Sequence, residues 1–405
     1  MPELADPVLI RHLNPKNLLS FGPDNLGIDL KALNVLIGPN GSGKSNLIEA
    51  IQLLRAAPRQ FDMVFQSGGG FSEWKWKGTT AEKGISRSLS CECVINCGEL
   101  DYIADSESTF RHSIHFGSNS QLMYERIVEF ASKTDSSAAE LYNFNCLDGG
   151  RVSAVSDNRE RINVDINVDI QADHSALSVL AKLKDPKRYP EITAISKKYE
   201  QIKIYREWTF GRNAIFRTPQ RNDVLEEDFS NLGLVLNRLK TRFPAAKKAI
   251  LNGLKDLYDG ITDFDVLIEG GSVQVFFTEG DFVIPATRLS DGTLRYLCLL
   301  AILCDPTPPP LICIEEPELG LHPDILPGLA DLLRDASERT QLIVTTHSDI
   351  LVDCMTETPE CVVVCEKHDG KTEMRRLSNA DLAVWLEKYR LGQLWIDGQL
   401  GGKRW

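Results

Sequence analysis

An octapeptide near the start of the chain, GPNGSGKS, matches the pattern G-x-x-x-x-G-K-[ST] over residues 38–45. An apolar segment precedes it and a segment with helical apolar spacing follows, which is the strand–loop–helix setting of phosphate-binding loops. Its glycines let successive backbone N–H groups converge on phosphate oxygens, and the start of the helix adds a favourable dipole. The pattern therefore predicts that Lys44 reaches the β- and γ-phosphates of a nucleoside triphosphate and that Ser45 holds Mg²⁺. The predicted binding residues are Gly38, Pro39, Asn40, Gly41, Ser42, Gly43, Lys44 and Ser45.

Two carboxylates end a second apolar segment, LICIEEPE, which spans residues 311–318. Its four apolar residues predict a buried strand, and open α/β sheets bind ligands at the carboxyl ends of such strands. We expect Glu315 to hold Mg²⁺, directly or through water, and Glu316 to orient or deprotonate the attacking water. A third apolar segment, QLIVTTHS, ends near His347, which we expect to contact the γ-phosphate or the attacking water.

A polar cluster that contains glycine, LSDGT, opens a strongly apolar segment about 250 residues after the phosphate loop. Ser290 is a favourable N-cap, and a helix that begins there directs free N–H groups outward with partial positive charge. Gly292 would permit a close approach of the backbone to phosphate. From these residues alone, a second phosphate contact and an ordinary capped core helix both remain open.

The motifs of this chain resemble those of the ABC-type ATPases of the RecF/SMC and OLD-like group. They occur in the same order: GPNGSGKSN, LSDGT, LICIEEPELGLHP and TTHS. The resemblance covers residues from about 8 to 56 and from about 286 to 370, and it adds Asn46 to the nucleotide-binding residues. It implies a homodimer that closes around two ATP molecules. In that family the LSDGT element grips the γ-phosphate of ATP held by the second subunit, which assigns this role to Leu289, Ser290, Asp291, Gly292 and Thr293. Glu318, Leu319 and Gly320 match a turn that communicates across the dimer.

The segment near the carboxyl terminus, WLEKYRLGQLWIDGQLGGKRW, is similar to that of small bacterial ATPases related to RecF, several of which belong to antiviral defence modules. A transporter ATPase would carry LSGGQ and would lack the insertion of roughly 200 residues between the two groups of motifs. The resemblance thus implies an ATPase whose closure acts on DNA or on an associated effector, a separate nuclease or toxin. Two alternatives are a RecF-like DNA repair ATPase and a slowly hydrolysing scaffold that regulates such an effector.

The order of apolar segments predicts an α/β fold, which the resemblance specifies as a P-loop NTPase of the ABC type. Its sheet would be mostly parallel and built from both chain ends. Between those ends, segments such as SRSLSCECVI alternate in polarity and predict an antiparallel β subdomain, whereas NLGLVLNRLKTRF and AAKKAILNGLKDLY predict a helical inserted lobe. The expected units are residues 1–70 (first half of the core), 71–174 (β subdomain), 175–285 (helical basic lobe and hairpin) and 286–405 (second half of the core).

The composition, with 42% hydrophobic and 25% charged residues, is that of a globular chain with a large core. The sequence has neither a run of 18 uncharged apolar residues nor a basic and apolar leader, so we expect a cytoplasmic protein without a membrane segment. Cys91 and Cys93 alternate as in a strand and have no CxxC partner, which argues against a thiolate metal site.

The net charge of −12 is uneven, since residues 182–248 hold 16 basic and 8 acidic side chains. This basic segment predicts a surface that faces nucleic acid or a solvated, mixed surface.

Overall fold

The computed structural model describes residues 6–78, 88–98, 108–117, 120–130, 139–145, 151–155, 161–164, 175, 177–178, 190–208, 224–257, 260–269 and 272–402. Its strands are β1 (Ile10–Lys16), β2 (Ile28–Asp29), β3 (Leu33–Ile37), β4 (Leu89–Asn96), β5 (Thr109–Phe116), β6 (Leu122–Phe130), β7 (Ala139–Asn145), β8 (Arg151–Val155), β9 (Arg161–Val164), β10 (Lys203–Tyr205), β11 (Ile261–Glu269), β12 (Ser272–Glu279), β13 (Phe282–Pro285), β14 (Leu311–Glu315), β15 (Gln341–Thr345), β16 (Val362–His368) and β17 (Lys371–Arg376). Its helices are α1 (Lys44–Ala56), α2 (Phe61–Ser67), α3 (Phe71–Trp74), α4 (Pro190–Glu200), α5 (Leu232–Arg242), α6 (Pro244–Leu257), α7 (Asp291–Leu303), α8 (Leu326–Ser337), α9 (Asp349–Asp353), α10 (Asn379–Leu386) and α11 (Leu391–Ile396). Among the described residues, none of these helices has both the length and the apolar character that a membrane crossing requires.

A six-stranded sheet joins the two ends of the chain in the order β10–β14–β15–β3–β16–β17. Every neighbouring pair is parallel except β16 and β17. All residues of β3 and β15 are buried, as expected for apolar strands of a parallel sheet that is covered on both faces. The predicted α/β fold, with a mostly parallel sheet built from both chain ends, is therefore confirmed.

Side chains that alternate along β3 divide the core into two layers. Val35 and Ile37 belong to a cluster that also contains the buried faces of α5, α6, α7 and α8. Leu36, on the other face, belongs to a cluster with α1 and with the first strands of the antiparallel sheet. The helices that follow the two glycine-containing motifs, α1 and α7, thus lie on opposite faces of one sheet.

An eight-stranded antiparallel sheet has the order β2–β1–β4–β5–β6–β7–β8–β9, in agreement with the predicted β subdomain. Buried and half-buried residues alternate along most of β4, because one face of the sheet packs on the core. Cys93 is on the buried face as a free thiol, and burial raises its pKa to about 12. β1 and β2, which precede the phosphate loop, also belong to this sheet, whereas β10 of the inserted region belongs to the parallel sheet. The units expected from the sequence therefore share strands.

The inserted region contains the two predicted helices as α5 and α6, and both contact a three-stranded sheet, β11–β12–β13. β12 and β13 form a hairpin at the end of this region, which the sequence predicts within residues 175–285, while β11 is an additional strand. Residues 182–189 and 209–223 of the predicted basic segment lie outside the described residues. In its described part, several cations form ion pairs: Lys203 with Glu226, Arg238 with Asp305, Lys240 with Asp265, and Lys247 with Asp263.

A buried polar network joins α4 to the antiparallel sheet. His112 Nε2 lies 3.0 Å from Glu125 Oε1, and His112 Nδ1 lies 2.9 Å from the hydroxyl of Tyr199 on α4. The same hydroxyl lies 3.1 Å from Cys93 Sγ, and Ser175 Oγ donates to Glu125 Oε1 at 2.6 Å. Buried polar groups are stable only with such partners, so the network fixes the place at which α4 meets β5.

Candidate active site

The loop of residues 38–45 joins β3 to α1, and two of its glycines are required by close packing. Gly38 and Gly43 have φ angles of 144° and 103°, which residues with a Cβ atom rarely adopt. A Cβ atom on Gly38 would collide with the backbone of Cys365 in β16, and one on Gly43 would collide with the side chain of Thr372 in β17. β16 and β17 therefore support the loop from one side. Along the loop, Asn40, Gly41 and Ser45 are exposed, Pro39 is half-buried, and Gly38, Ser42, Gly43 and Lys44 are buried.

The side chain of Lys44 folds back on its own loop. Its Nζ donates to the carbonyl oxygens of Gly38 at 2.8 Å and of Pro39 at 3.0 Å. Burial lowers the pKa of Lys44, while the nearby negative charges, including Glu316 and Glu315, oppose that shift. The ammonium group has three donors, so it can transfer these hydrogen bonds to phosphate oxygens that enter the loop.

Asn46, the ninth predicted residue of the loop, takes part in a hydrogen-bond network that the sequence did not indicate. Its Nδ2 donates to Ser20 Oγ at 2.6 Å. Thr372 Oγ1 lies 2.6 Å from the same Ser20 oxygen and donates to the carbonyl oxygen of Ser42 at 2.8 Å. A cavity of 420 Å³ opens beside Asn46 and is lined in part by Lys75. The network thus ties the loop to β17 and to the segment that joins β1 to β2, next to a space of ligand size.

Ser45, at the start of α1, meets Glu315, at the end of β14, although they are 270 residues apart. Ser45 Oγ donates to Glu315 Oε2 at 3.4 Å. Oε1 of Glu315 is buried and has no hydrogen-bond partner among the residues described. Burial raises the pKa of Glu315, and the positive charge of Arg206 opposes that shift. The Ser45 hydroxyl and the adjacent Glu315 carboxylate are oxygen ligands of the kind that Mg²⁺ prefers, so the residues present fit the predicted metal site.

Glu316 has a left-handed backbone conformation, with φ of 47°, which is uncommon for a residue other than glycine. Its N–H donates to the carbonyl oxygen of Thr345, the last residue of β15, at 3.0 Å. Glu316 Oε1 lies 3.7 Å from His347 Nε2, and the two side chains are 43% and 29% exposed. The structure therefore brings the predicted water-activating carboxylate to the predicted histidine, and it leaves both accessible. Strained backbone of this kind is concentrated at functional sites.

Glu318 connects the turn after β14 to the end of β15. Its Oε1 accepts the N–H of His347 at 2.7 Å and the hydroxyl of Thr346 at 2.8 Å. Its Oε2 is buried and has no hydrogen-bond partner in the described ranges, and burial raises the pKa of the carboxyl group. The resemblance assigns this residue to a turn that communicates across the dimer, and within the chain its contacts position the backbone of His347.

The LSDGT element forms the beginning of α7, as predicted. Ser290 is the N-cap, and its Oγ accepts the N–H of Thr293 at 3.1 Å. A Cβ atom on Gly292 would lie 2.5 Å from the carbonyl oxygen of Gly320. Leu289 is half-buried, and Ser290 and Asp291 are exposed. The helix start therefore packs on the turn that contains Glu318, and its capping residue remains accessible.

Two residues that follow β10 complete the surroundings of Glu315, and sequence reasoning missed both. Arg206 pairs with Glu49 of α1, and its Nε lies 3.8 Å from Glu315 Oε1. Trp208 Nε1 donates to the carbonyl oxygen of Glu315 at 2.9 Å. The guanidinium of Arg295 in α7 lies 4.9 Å from the Trp208 ring centroid. β10 has only three residues in a segment that reads as helical and basic, so no sequence signal marked this strand end as part of the site.

The chain is similar to one sequence family and to solved structures of Smc heads. The sequence family described as "AAA domain, putative AbiEii toxin, Type IV TA system" matches residues 33–353. No curated protein matches the chain in sequence. Among solved structures, an Smc head bound to the C-winged helix domain of ScpA is similar with a TM-score of 0.57 at 15% identity, over 92% of this chain and 99% of that one. An Smc head from Pyrococcus furiosus with an extended coiled coil, bound to the C-terminal domain of ScpA, gives a TM-score of 0.55 at 14% identity, over 94% and 99%.

Proposed function

Because the chain belongs to this family of AAA domains, putative AbiEii toxins of type IV TA systems, and has the ABC-type ATPase fold of SMC heads, we propose that it binds and hydrolyses Mg-ATP. One observation carries the proposal. Ser45 with Glu315, and Glu316 with His347, meet at the carboxyl edge of the parallel sheet, beside the phosphate loop. Open α/β sheets bind their ligands at this edge.

Each of these residues has a separate task in the proposed reaction. The phosphates lie in the loop of residues 38–45, where backbone N–H groups and Lys44 balance their charge, and the base enters the cavity beside Asn46. Ser45 and Glu315 would hold magnesium, which would supply positive charge to balance the phosphates. Glu316 orients the attacking water or accepts its proton, and His347 contacts that water or the γ-phosphate.

We further propose that closure of a homodimer is the output of the nucleotide cycle. Leu289–Thr293 of one subunit would contact the γ-phosphate of ATP bound by the other, since the accessible N-terminus of α7 suits an anion. Leu319, in the turn on which this helix start packs, is 57% exposed, as expected of a residue that a second subunit covers. Asp291 is exposed at the same helix start, and we expect its carboxylate to point away from the phosphate.

The dimer would act on a separate effector, a nuclease or toxin, in bacterial antiviral defence, or alternatively on DNA, as in RecF-like repair. The ion pairs of the described basic segment favour the effector, because cations already paired with carboxylates contribute less to phosphate binding. The Smc heads of similar fold are bound to ScpA domains, so a head of this architecture can carry a protein partner. The alternative of a slowly hydrolysing scaffold that regulates a separate effector would depend on the same closure of the dimer.

Three variants and one control test the proposal. Lys44→Ala should abolish ATP binding and hydrolysis, whereas Lys388→Ala, at an exposed position after α10, should change neither. Glu316→Gln with ATP and Mg²⁺ should accumulate a closed dimer, and the added substitution Ser290→Arg should prevent it. Light scattering that gives equal masses for Glu316→Gln with and without Ser290→Arg would refute the contact across the dimer. A wild-type chain that binds no nucleotide would refute the proposed function as a whole.

A further inference from the structure

Arg206 lies against the predicted metal carboxylate, and the function proposed above gives it no task. It follows β10 directly and so stands at the carboxyl edge of the parallel sheet, beside β14. Its Nη1 pairs with Glu49, while Nε and Nη2 are buried without a hydrogen-bond partner among the described residues. Buried donors without hydrogen-bond partners lower the stability of the folded chain. Packing alone therefore does not account for an arginine at this position.

The geometry around Glu315 supplies that explanation. The two oxygens of its carboxylate face different groups, because Oε2 lies 3.4 Å from Ser45 Oγ and Oε1 lies 3.8 Å from Arg206 Nε. Ser45 and Glu49 are four residues apart on α1 and therefore lie on the same face of that helix. Glu49 thus holds the guanidinium in place, and the guanidinium faces the carboxylate oxygen that does not contact Ser45.

We propose that Arg206 is a positioning residue for the metal site, which holds Glu315 in the rotamer that presents Oε2 to a divalent cation beside Ser45. A glutamate has several rotatable bonds, and fixing them before the metal arrives removes an entropic cost from binding. Residues that orient a metal-binding side chain typically contribute about 10- to 100-fold to metal affinity. The inference rests on the proposed function, because it requires that the chain bind a nucleotide together with Mg²⁺.

The test compares nucleotide affinity with and without metal in Arg206→Met and in a matched control, Arg55→Met. Arg55 also links α1 to the β10 region, through Glu227 and the carbonyl oxygen of Ile202. The side chains of Arg55 and Arg206 are 27% and 28% exposed, so their loss should disturb packing to a similar extent. For each variant, a non-hydrolysable ATP analogue is titrated in Mg²⁺ and in EDTA, and Mn²⁺ bound with the analogue is counted by electron paramagnetic resonance.

Arg206→Met should lose about 10- to 100-fold of the metal-dependent gain in affinity and the same factor in Mn²⁺ affinity, with the EDTA value unchanged. Arg55→Met should match the wild type, and Arg206→Lys should recover part of the loss. Should Arg206→Met fail to fold, Glu49→Gln, which releases the guanidinium without removing it, should give a smaller loss in the same direction.

Three outcomes would overturn the assignment. An equal loss in Mg²⁺ and in EDTA would mean that Arg206 contacts the phosphates directly. An unchanged metal-dependent gain in Arg206→Met would leave the residue a packing role only. A wild-type chain without any nucleotide affinity would refute the proposed function and this inference with it. That outcome is distinguishable from the other two, because the wild type and every variant would then give the same result.

Discussion

Replacement of Gly292 by alanine tests how the start of α7 is positioned. The added Cβ atom would lie 2.5 Å from the carbonyl oxygen of Gly320, about 0.9 Å inside the 3.4 Å at which ordinary contact begins. Overpacking of this kind costs about 1–3 kcal/mol, because the backbone must move. The higher helix propensity of alanine offsets about 1 kcal/mol of this cost. We therefore expect Gly292→Ala to lower the free energy of unfolding by roughly 0–2 kcal/mol.

Gly328→Ala is the matched control, since it introduces the same methyl group into α8. The nearest atoms to its Cβ would be Asp256 Oδ2 and the hydroxyl of Tyr296, both at 3.8 Å, which is ordinary van der Waals contact. Without a collision, only the helix propensity remains, and it stabilises the chain by up to about 1 kcal/mol. Gly328→Ala should therefore raise the free energy of unfolding, whereas Gly292→Ala should leave it unchanged or lower it.

The assay combines urea denaturation without nucleotide, ATP turnover, and titration of a non-hydrolysable ATP analogue. Displacing the turn at Gly320 also moves Glu318, whose carboxylate holds the N–H of His347 at 2.7 Å. We expect turnover by Gly292→Ala to fall about tenfold, which corresponds to about 1.4 kcal/mol, while the affinity of the monomer for the analogue stays constant. The reasoning is wrong if Gly292→Ala unfolds and hydrolyses ATP as Gly328→Ala does.

Two further substitutions test buried polar groups. Burial raises the pKa of Glu318, so its charge destabilises the folded chain above that pKa, and this cost disappears as the pH falls below the ordinary value of 4.5. Glu318→Gln keeps an acceptor for the N–H of His347 but removes the buried charge. Its melting temperature should therefore exceed that of the wild type at neutral pH, and the two values should converge toward pH 4.5. A melting temperature below that of the wild type at neutral pH would contradict this reasoning. Tyr199→Phe leaves His112 Nδ1 without its partner and should lower the free energy of unfolding by about 1–3 kcal/mol in urea, whereas the exposed Tyr389→Phe should have no effect.

The part of the site that local sequence encodes was predictable. The loop of residues 38–45 is contiguous, and its glycine pattern follows from the backbone conformation that a phosphate requires. The meeting of Ser45 with Glu315 was predictable too, despite the long separation, because the carboxyl ends of parallel strands share one edge of a sheet. The predicted proximity of Glu316 and His347 follows from the same rule, since β14 and β15 are neighbours.

The residues that support the site from other elements were not predictable. Arg206 follows a three-residue strand, which is too short for any periodicity to appear. Thr372 stands on β17, a strand that pairs antiparallel at the edge of the sheet, and its contact with Ser42 depends on packing rather than on a motif. The contact of Gly292 with Gly320 joins a helix start to a turn, and only the complete core fixes their separation in space. Such contacts are properties of the tertiary fold, and one sequence alone does not reveal them.

A continuous set of contacts leads from the helix start that carries LSDGT to the Glu316 and His347 side chains of the same chain. Gly292 packs on Gly320, and Arg295 of α7 donates to the carbonyl oxygen of Leu319 in that turn. Glu318, at the beginning of the turn, holds the N–H of His347, whose ring lies 3.7 Å from the Glu316 carboxylate. In the proposed dimer, the helix start contacts ATP of the other subunit. Closure on that ATP would therefore also shift Glu316 and His347 of its own subunit, so that in the proposed dimer turnover would depend on contact with both ATP molecules.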